Sequence, residues 1–262
     1  MAGITLTLVI PAYRESARLG PSLQRVARWL EAWGGSAEVV VVDDGSPDDT
    51  AEVARAHAAL FARLRVLRHP VNRGKGAAVR TGVLAAEGRL VAFADADLAA
   101  PIEALSRLLS ALERGADVAV ASRRTQGADI ARRQPLARRV AGHAFRALVR
   151  ALVPTGVSDT QCGLKAFRRE AARRLAAQSR LDGWAFDVEW LARARRLGLS
   201  VAEVPVRWSD DPRSALVLRR AALQMLRDLL RIRRDLTREA LGERLRRVTR
   251  QRPRASPLPD VG

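Results

Sequence analysis

Apolar residues follow two rhythms along the chain. Short continuous runs occur at 6–12 (LTLVIPA), 37–43 (AEVVVVD), 63–68 (RLRVLR), 89–95 (RLVAFAD) and 117–122 (DVAVAS). Between them, at 21–33, 48–60, 75–86 and 102–114, apolar positions recur at helical spacing. Runs such as VVVV suit strands covered on both faces, as in parallel sheets. The alternation over the first 122 residues predicts an α/β, doubly wound sheet, mostly parallel and flanked by helices. Ligands of such sheets bind beyond the carboxyl ends of the strands. Asp43 and Asp44 stand at one such end and Asp95 and Asp97 at another, so both acidic clusters open on one edge. Beyond residue 122 the rhythm loosens. An arginine-rich loop (123–135) leads to a helix at about 136–152 and then an irregular stretch, PTGVSDTQCGLKAF. Two helical segments, a strand (VAEVPVRW) and a long helix over about 215–248 follow.

The acidic clusters carry the first chemical suggestion. On a strand, side chains two apart point the same way, so Asp95 and Asp97 in FADADL place like charges together. They repel unless a cation lies between them. The alternative is a loop acid followed by an N-cap, with Asp97 opening the next helix. Asp43 and Asp44, before Gly45, either form an ordinary Asp-Gly turn or accept hydrogen bonds from a nucleotide base or ribose. The glycine-punctuated HPVNRGKGAAVRTG (69–82) offers backbone N–H groups and Lys75 to a phosphate, without the spacing of a P-loop.

Composition bounds the picture. The 262 residues suit one catalytic domain over 1–212, a basic amphipathic helix over 213–250 and a disordered tail over 251–262. The lone cysteine, Cys162, excludes an internal disulfide framework and agrees with a reducing compartment. No signal peptide is expected before ITLTLVIPA, and no apolar run reaches the ~18–20 residues that span a bilayer. The net charge of +18 implies an anionic partner. Its excess is local: fourteen arginines against four acids over 213–254, and eight against one over 123–150. A nucleic-acid-binding protein is the alternative class. The aromatic content of 4% and the convergence of acids where phosphates would approach speak against it.

VIPAYRES, VVVVDDGSPDDT, NRGKGAAVRTG, FADADL and ASRR, in this order, resemble the family 2 glycosyltransferases of nucleotide-diphospho-sugar transferase (GT-A) fold. DTQCGLKAFRREAARRL and DGWAFDVEWLARARRLGLSVAEVPVRW are similar to the branch that glucosylates dolichyl or polyprenyl phosphates. The resemblance implies an inverting transfer of hexose, glucose from UDP-glucose or alternatively mannose from GDP-mannose, to a polyprenyl phosphate at a membrane surface. It implies that Asp95 and Asp97 hold Mg²⁺ or Mn²⁺ against the donor diphosphate. Pro11, Tyr13, Glu15, Asp43, Asp44, Lys75 and Asp95 become donor-binding residues, and Arg123, Arg138 and Arg139 grip the acceptor phosphate. Asp159 and Asp97 become the catalytic residues, with Asp187 and Glu189 as weaker candidates. The chain departs from the pattern where related mannosyltransferases carry a metal-binding glutamine, here Ala99. It departs again at DPRSA (211–215), where the glucosyl branch often has PGSK and Arg213 would replace the lysine.

A phosphate monoester has a second pKa of about 6, so a strong base is less needed than positioning and charge neutralisation. In the last helix, Leu218, Ala222, Met225, Leu229, Ile232 and Leu236 form one apolar stripe, with Arg220, Arg227, Arg231, Arg234 and Arg238 opposite. That pattern predicts either attachment to the cytoplasmic face of a membrane or packing on the domain or a partner's helix. The expected partners are thus a nucleotide sugar, a polyprenyl phosphate and a membrane surface, with a second copy or a membrane protein also compatible.

Overall fold

The computed structural model describes residues 3–132, 136–209 and 218–251, with side chains for 3–129, 142–208 and 224–242. The chain runs β1 (Leu6–Ala12), α1 (Ser16–Trp33), β2 (Ala37–Asp43), α2 (Thr50–Ala56), β3 (Leu64–Arg68), α3 (Lys75–Leu84) and β4 (Leu90–Ala94). It continues with α4 (Leu105–Glu113), β5 (Val118–Ser122), β6 (Asp129–Arg132), α5 (Leu136–Leu152), β7 (Leu164–Arg168) and α6 (Arg169–Gln178). Last come α7 (Phe186–Arg196), β8 (Val201–Pro205), β9 (Arg207–Ser209) and α8 (Leu218–Gln251).

Seven strands form one sheet in the order β3-β2-β1-β4-β7-β5-β8. All neighbours are parallel except β7, which runs antiparallel to both β4 and β5. Alternation within each strand feeds two cores. Leu8, Ile10, Val39, Val41 and Ala92 point to the layer of α1 and α4. Val9, Val40, Val42, Val91 and Phe93 point to the layer of α3, α6 and α7. Continuous apolar runs were therefore the correct signature of strands covered on both sides. The short pair β6–β9 lies apart from the main sheet.

The irregular stretch expected before α6 contains β7, the central strand that pattern reading overlooked. Leu164 and Ala166 enter one core and Phe167 the other, but Lys165 stands at an inward position and breaks the apolar run. The expected loop 123–135 likewise holds β6, whose DIAR carries too little apolar alternation to read as a strand. Helix α1 starts at Ser16, so Pro21 lies past its first turn rather than opening it.

Helix α8 packs on the domain through Leu229, Ile232 and Leu236, which join the core beneath α7. That part of the expected apolar stripe therefore faces protein. Leu218, Ala222 and Arg220 lie outside the described side chains, as do Arg138 and Arg139 on α5. Arg213 and the tail beyond Gln251 lie outside the described residues. No helix among the described residues is long and apolar enough to cross a membrane.

Candidate active site

The carboxyl ends of β1, β2 and β4 converge with α3 and the turn before β7. β1 delivers Pro11, Tyr13 and Glu15 to this edge. Tyr13 is exposed, with the Arg14 guanidinium 5.4 Å from its ring centre. The Glu15 carboxylate is engaged by Arg18 at 2.6 and 2.7 Å. Burial, and then the nearby Asp97 and Asp95, act to raise the Glu15 pKa. Arg14 and Leu98 both have left-handed backbone, with φ of 57° and 46°. Such conformations cost about 1–3 kcal/mol and collect where geometry is over-determined for function.

The two carboxylates after β2 have different duties. Asp44 accepts hydrogen bonds from His69 Nδ1 (2.6 Å), Asn72 Nδ2 (2.9 Å), Arg73 N (3.0 Å) and Gly74 N (2.7 Å). It thereby holds the 69–74 loop in place, with His69 Nε2 also 2.9 Å from Thr81 Oγ1. Asp43 accepts one bond from Ser46 N at 3.0 Å. Its Oδ2 lies 3.1 Å from Arg68 Nε but makes no well-formed hydrogen bond, although the residue is fully buried. An oxygen so placed suits an N–H arriving with a ligand.

The 69–74 loop ends at Gly74, whose φ of 107° and contact with the Asp182 carbonyl leave no room for a Cβ. Lys75 then opens α3. Its Nζ lies 2.5 Å from Asp95 Oδ1 and 5.3 Å from the centre of the Trp184 ring. Burial opposes its charge, yet Asp95 and Asp187 together raise its pKa, so it stays cationic.

Asp95 and Asp97 follow β4 in a tight turn, where Leu98 N donates to Asp95 O and Ala99 N to Asp97 Oδ1. Helical structure resumes only at Ile102, so Asp97 is not an N-cap. Burial, then the Asp95 charge, raises the Asp97 pKa, which is the signature of two acids sharing one site. Asp95 Oδ1 is engaged only by the Lys75 ammonium. Oxygen donors of this kind fit a hard divalent cation. Among the described residues no third His, Cys, Asp or Glu completes a cluster, so a cation here would draw its remaining ligands from a bound diphosphate and water. Gly163 faces Asp95 so closely that any Cβ would collide with the carboxylate.

Across the edge, after β5, Arg123 forms a fork on Asp159. Its N, Nε and Nη2 donate to that carboxylate at 3.0, 2.7 and 2.8 Å. Burial opposes ionisation of Asp159, but these hydrogen bonds and the Arg123 charge hold its pKa below the usual range. Ser158, bonded to Glu203 at 2.7 and 2.5 Å, fixes the turn that presents it. Trp208 lies under the guanidinium, 5.2 Å away. Arg146 on α5 lies in the field of Arg124, Arg123 and Arg150; burial and that repulsion lower its pKa. Sequence reading named Arg123 but missed Arg124, Arg146 and Arg150, because the group is assembled from the end of β5 and one face of α5.

Asp187 and Glu189 are structural. Asp187 binds Lys165 Nζ at 2.6 Å in the core. Glu189 accepts from Arg180 N, Leu181 N, Ser179 Oγ and Arg193 Nε, pinning the 179–181 turn. Cys162 is buried, and burial pushes its thiol up to about 11, so it serves as packing.

The model of the "Glycosyl transferase family 2" domain matches residues 7–176. The dolichyl-phosphate beta-glucosyltransferase of Drosophila melanogaster is 38% identical over 242 residues, 87% of this chain and 74% of that one. That of Mus musculus is 37% identical over 241 residues, again 87% and 74%. Among solved structures, a Mycobacterium tuberculosis glucosyl-3-phosphoglycerate synthase with Mn²⁺, UDP-glucose and phosphoglyceric acid superposes with a TM-score of 0.67. It is 25% identical, over 88% of this chain and 80% of that one.

Proposed function

Because the chain belongs to glycosyl transferase family 2 and is a glycosyltransferase of GT-A fold, we propose that it moves glucose from UDP-glucose to a polyprenyl or dolichyl phosphate at a membrane surface. The observation that carries this reading is the opposition across one sheet edge of an acidic pair, Asp95 and Asp97, and an arginine group, Arg123, Arg124, Arg146 and Arg150. The first suits a metal-bound diphosphate and the second a phosphate nucleophile. The names of the curated relatives supply the sugar and the acceptor class.

In this reading Asp43 accepts an N–H of the base, while Asp44 only shapes the loop that carries Lys75. A divalent cation held by Asp95 and Asp97 neutralises the leaving diphosphate when bound. Lys75 gives the same region a fixed positive charge. The acceptor phosphate, drawn by Arg123 and Arg146, presents an oxygen to the anomeric carbon on the face opposite the diphosphate. The new carbon–oxygen bond forms as the bond to UDP breaks, which inverts the centre. No proton need be removed from an ionised phosphate, so Asp159 serves as a positioning residue for Arg123.

The test incubates purified protein and Mn²⁺ with UDP-glucose or GDP-mannose and a short polyprenyl phosphate, phosphoglyceric acid, or neither. Glucolipid formed only from UDP-glucose is the expected result. Mannolipid in preference to glucolipid overturns the donor, and product on phosphoglyceric acid alone overturns the lipid acceptor.

A further inference from the structure

The charges of α8 are sorted by side. Its described acids turn toward the domain. Asp235 is buried and lies 3.2 Å from Arg180, and Glu239 lies 3.2 Å from Arg193. Asp228 stands next to Gly183, with a carboxylate oxygen 3.8 Å from where a Cβ there would be. Arg227, Arg231, Arg233, Arg234 and Arg238 are all exposed.

The outer face is also apolar. Leu226, Leu230 and Leu241 are 38%, 50% and 59% exposed. At ~100° per residue they fall within about 60° around the axis, and Arg234, Arg227, Arg238 and Arg231 occupy roughly the next 60°. Arg233 flanks the leucines on their other side. Leu229, Ile232 and Leu236, buried on the core, lie opposite the arginine row and about 120° round from the leucines. The helix thus has two apolar stripes, and the domain leaves one of them partly exposed.

We infer that the outer face of α8 docks on an anionic bilayer, with Leu226, Leu230 and Leu241 entering the interface and the arginine row meeting lipid phosphates. This rests on the lipid acceptor proposed above and adds the surface that brings the site to it. A leucine ridge flanked by arginines is the form of an interfacial helix. Basic residues near a charged bilayer are attracted at about 1 kcal/mol each, within roughly a Debye length. The placement is also functional. Gly183 packs beside Gln224 and Asp228 on the side of α8 that borders the arginine row, and the next residue, the half-exposed Trp184, sits over Lys75 of the donor site. A protein bound through this face would hold its catalytic edge next to the headgroups.

The test is cosedimentation of the full chain with phosphatidylglycerol-containing and pure phosphatidylcholine vesicles at low and high salt, beside L226Q/L230Q/L241Q and R227E/R231E/R234E/R238E. None of these residues contacts the site, so circular dichroism and UDP-glucose binding serve as controls for folding and for the donor reading. The expected result is binding to anionic vesicles that falls with salt and drops by about tenfold or more in each variant, with both controls unchanged. Equal binding to both vesicle types, or to neither, overturns the proposal. So does a wild-type dimer by light scattering that the leucine variant converts to monomer without loss of vesicle binding, which would make the face a self-association surface.

Discussion

Asp159→Asn distinguishes a carboxylate that holds an arginine from one that removes a proton. In the structure this carboxylate receives three donors from Arg123, two of them charged, and is 2% exposed. Asparagine keeps one acceptor oxygen and turns an NH₂ toward a guanidinium that is itself a donor. Charge-assisted hydrogen bonds contribute about 1.5–3 kcal/mol each, and removing one partner of a buried pair costs about 3–5 kcal/mol. The Arg123 side chain keeps some contact with solvent, at 22% exposure, which places the expected loss near ~2–4 kcal/mol. Urea unfolding measures it. The sign with pH follows from the depressed native pKa. The contribution is fully present above the unfolded value of about 3.9 and is lost as pH falls through the lower native value. It should therefore be missing from the acid limb of the variant's stability profile. In turnover, acceptor KM should rise about tenfold or more while kcat falls less than in Asp97→Asn. Unchanged stability and acceptor KM, with kcat at background, would refute the reasoning and make Asp159 a general base.

Asp95→Ala and Asp97→Ala should each lower transfer by at least about a hundredfold and abolish Mn²⁺ binding by calorimetry, with the folded circular dichroism spectrum retained; full activity in excess EDTA would end the metal assignment. Gly163→Ala should weaken Mn²⁺ binding, because its Cβ collides with the Asp95 carboxylate; wild-type metal affinity would show that the turn yields freely. Lys165→Met should cost about 3–5 kcal/mol by leaving Asp187 buried and unpaired, and Lys165→Met with Asp187→Leu should recover most of it. A double variant no more stable than the single one would show that the pair does not carry the cost.

The legible parts of this protein were those written in local pattern. Apolar runs at β1, β2, β4 and β5 identified the sheet, because that signal lies within a few residues. The spacing of Asp95 and Asp97 suggested a shared site, although β4 ends at Ala94 and a turn, not strand alternation, brings the two together. What a carboxylate does depends on distant donors. Asp44 takes its hydrogen bonds from residues 25–30 positions away, and Asp159 from one 36 away. No local spacing could tell these two from Asp43 and Asp97. The same limit explains α8. Periodicity revealed an apolar stripe on it but not which stripe the domain covers, and the covered one was Leu229, Ile232 and Leu236.

Strand β7 shows why the illegible part matters most. A parallel strand between β4 and β5 would begin at the far edge of the sheet, away from the acidic pair. Because β7 runs the other way, its first residue, Leu164, pairs with Ala94 at the carboxyl end of β4. The chain entering β7 must therefore cross the catalytic edge, and it carries Asp159, Cys162 and Gly163 there. Asp95 N donates to Gly163 O at 3.0 Å, which ties the acidic turn to this crossing. Asp159 holds Arg123 after β5 on its other side, and Lys165 draws in Asp187 from α7 beneath. The last two links join separate elements through buried opposite charges. A buried charge tolerates little displacement from its partner, so the acidic turn and the Arg123–Asp159 fork are held at a fixed separation. The lysine that hid β7 from pattern reading is the residue that fixes it in place.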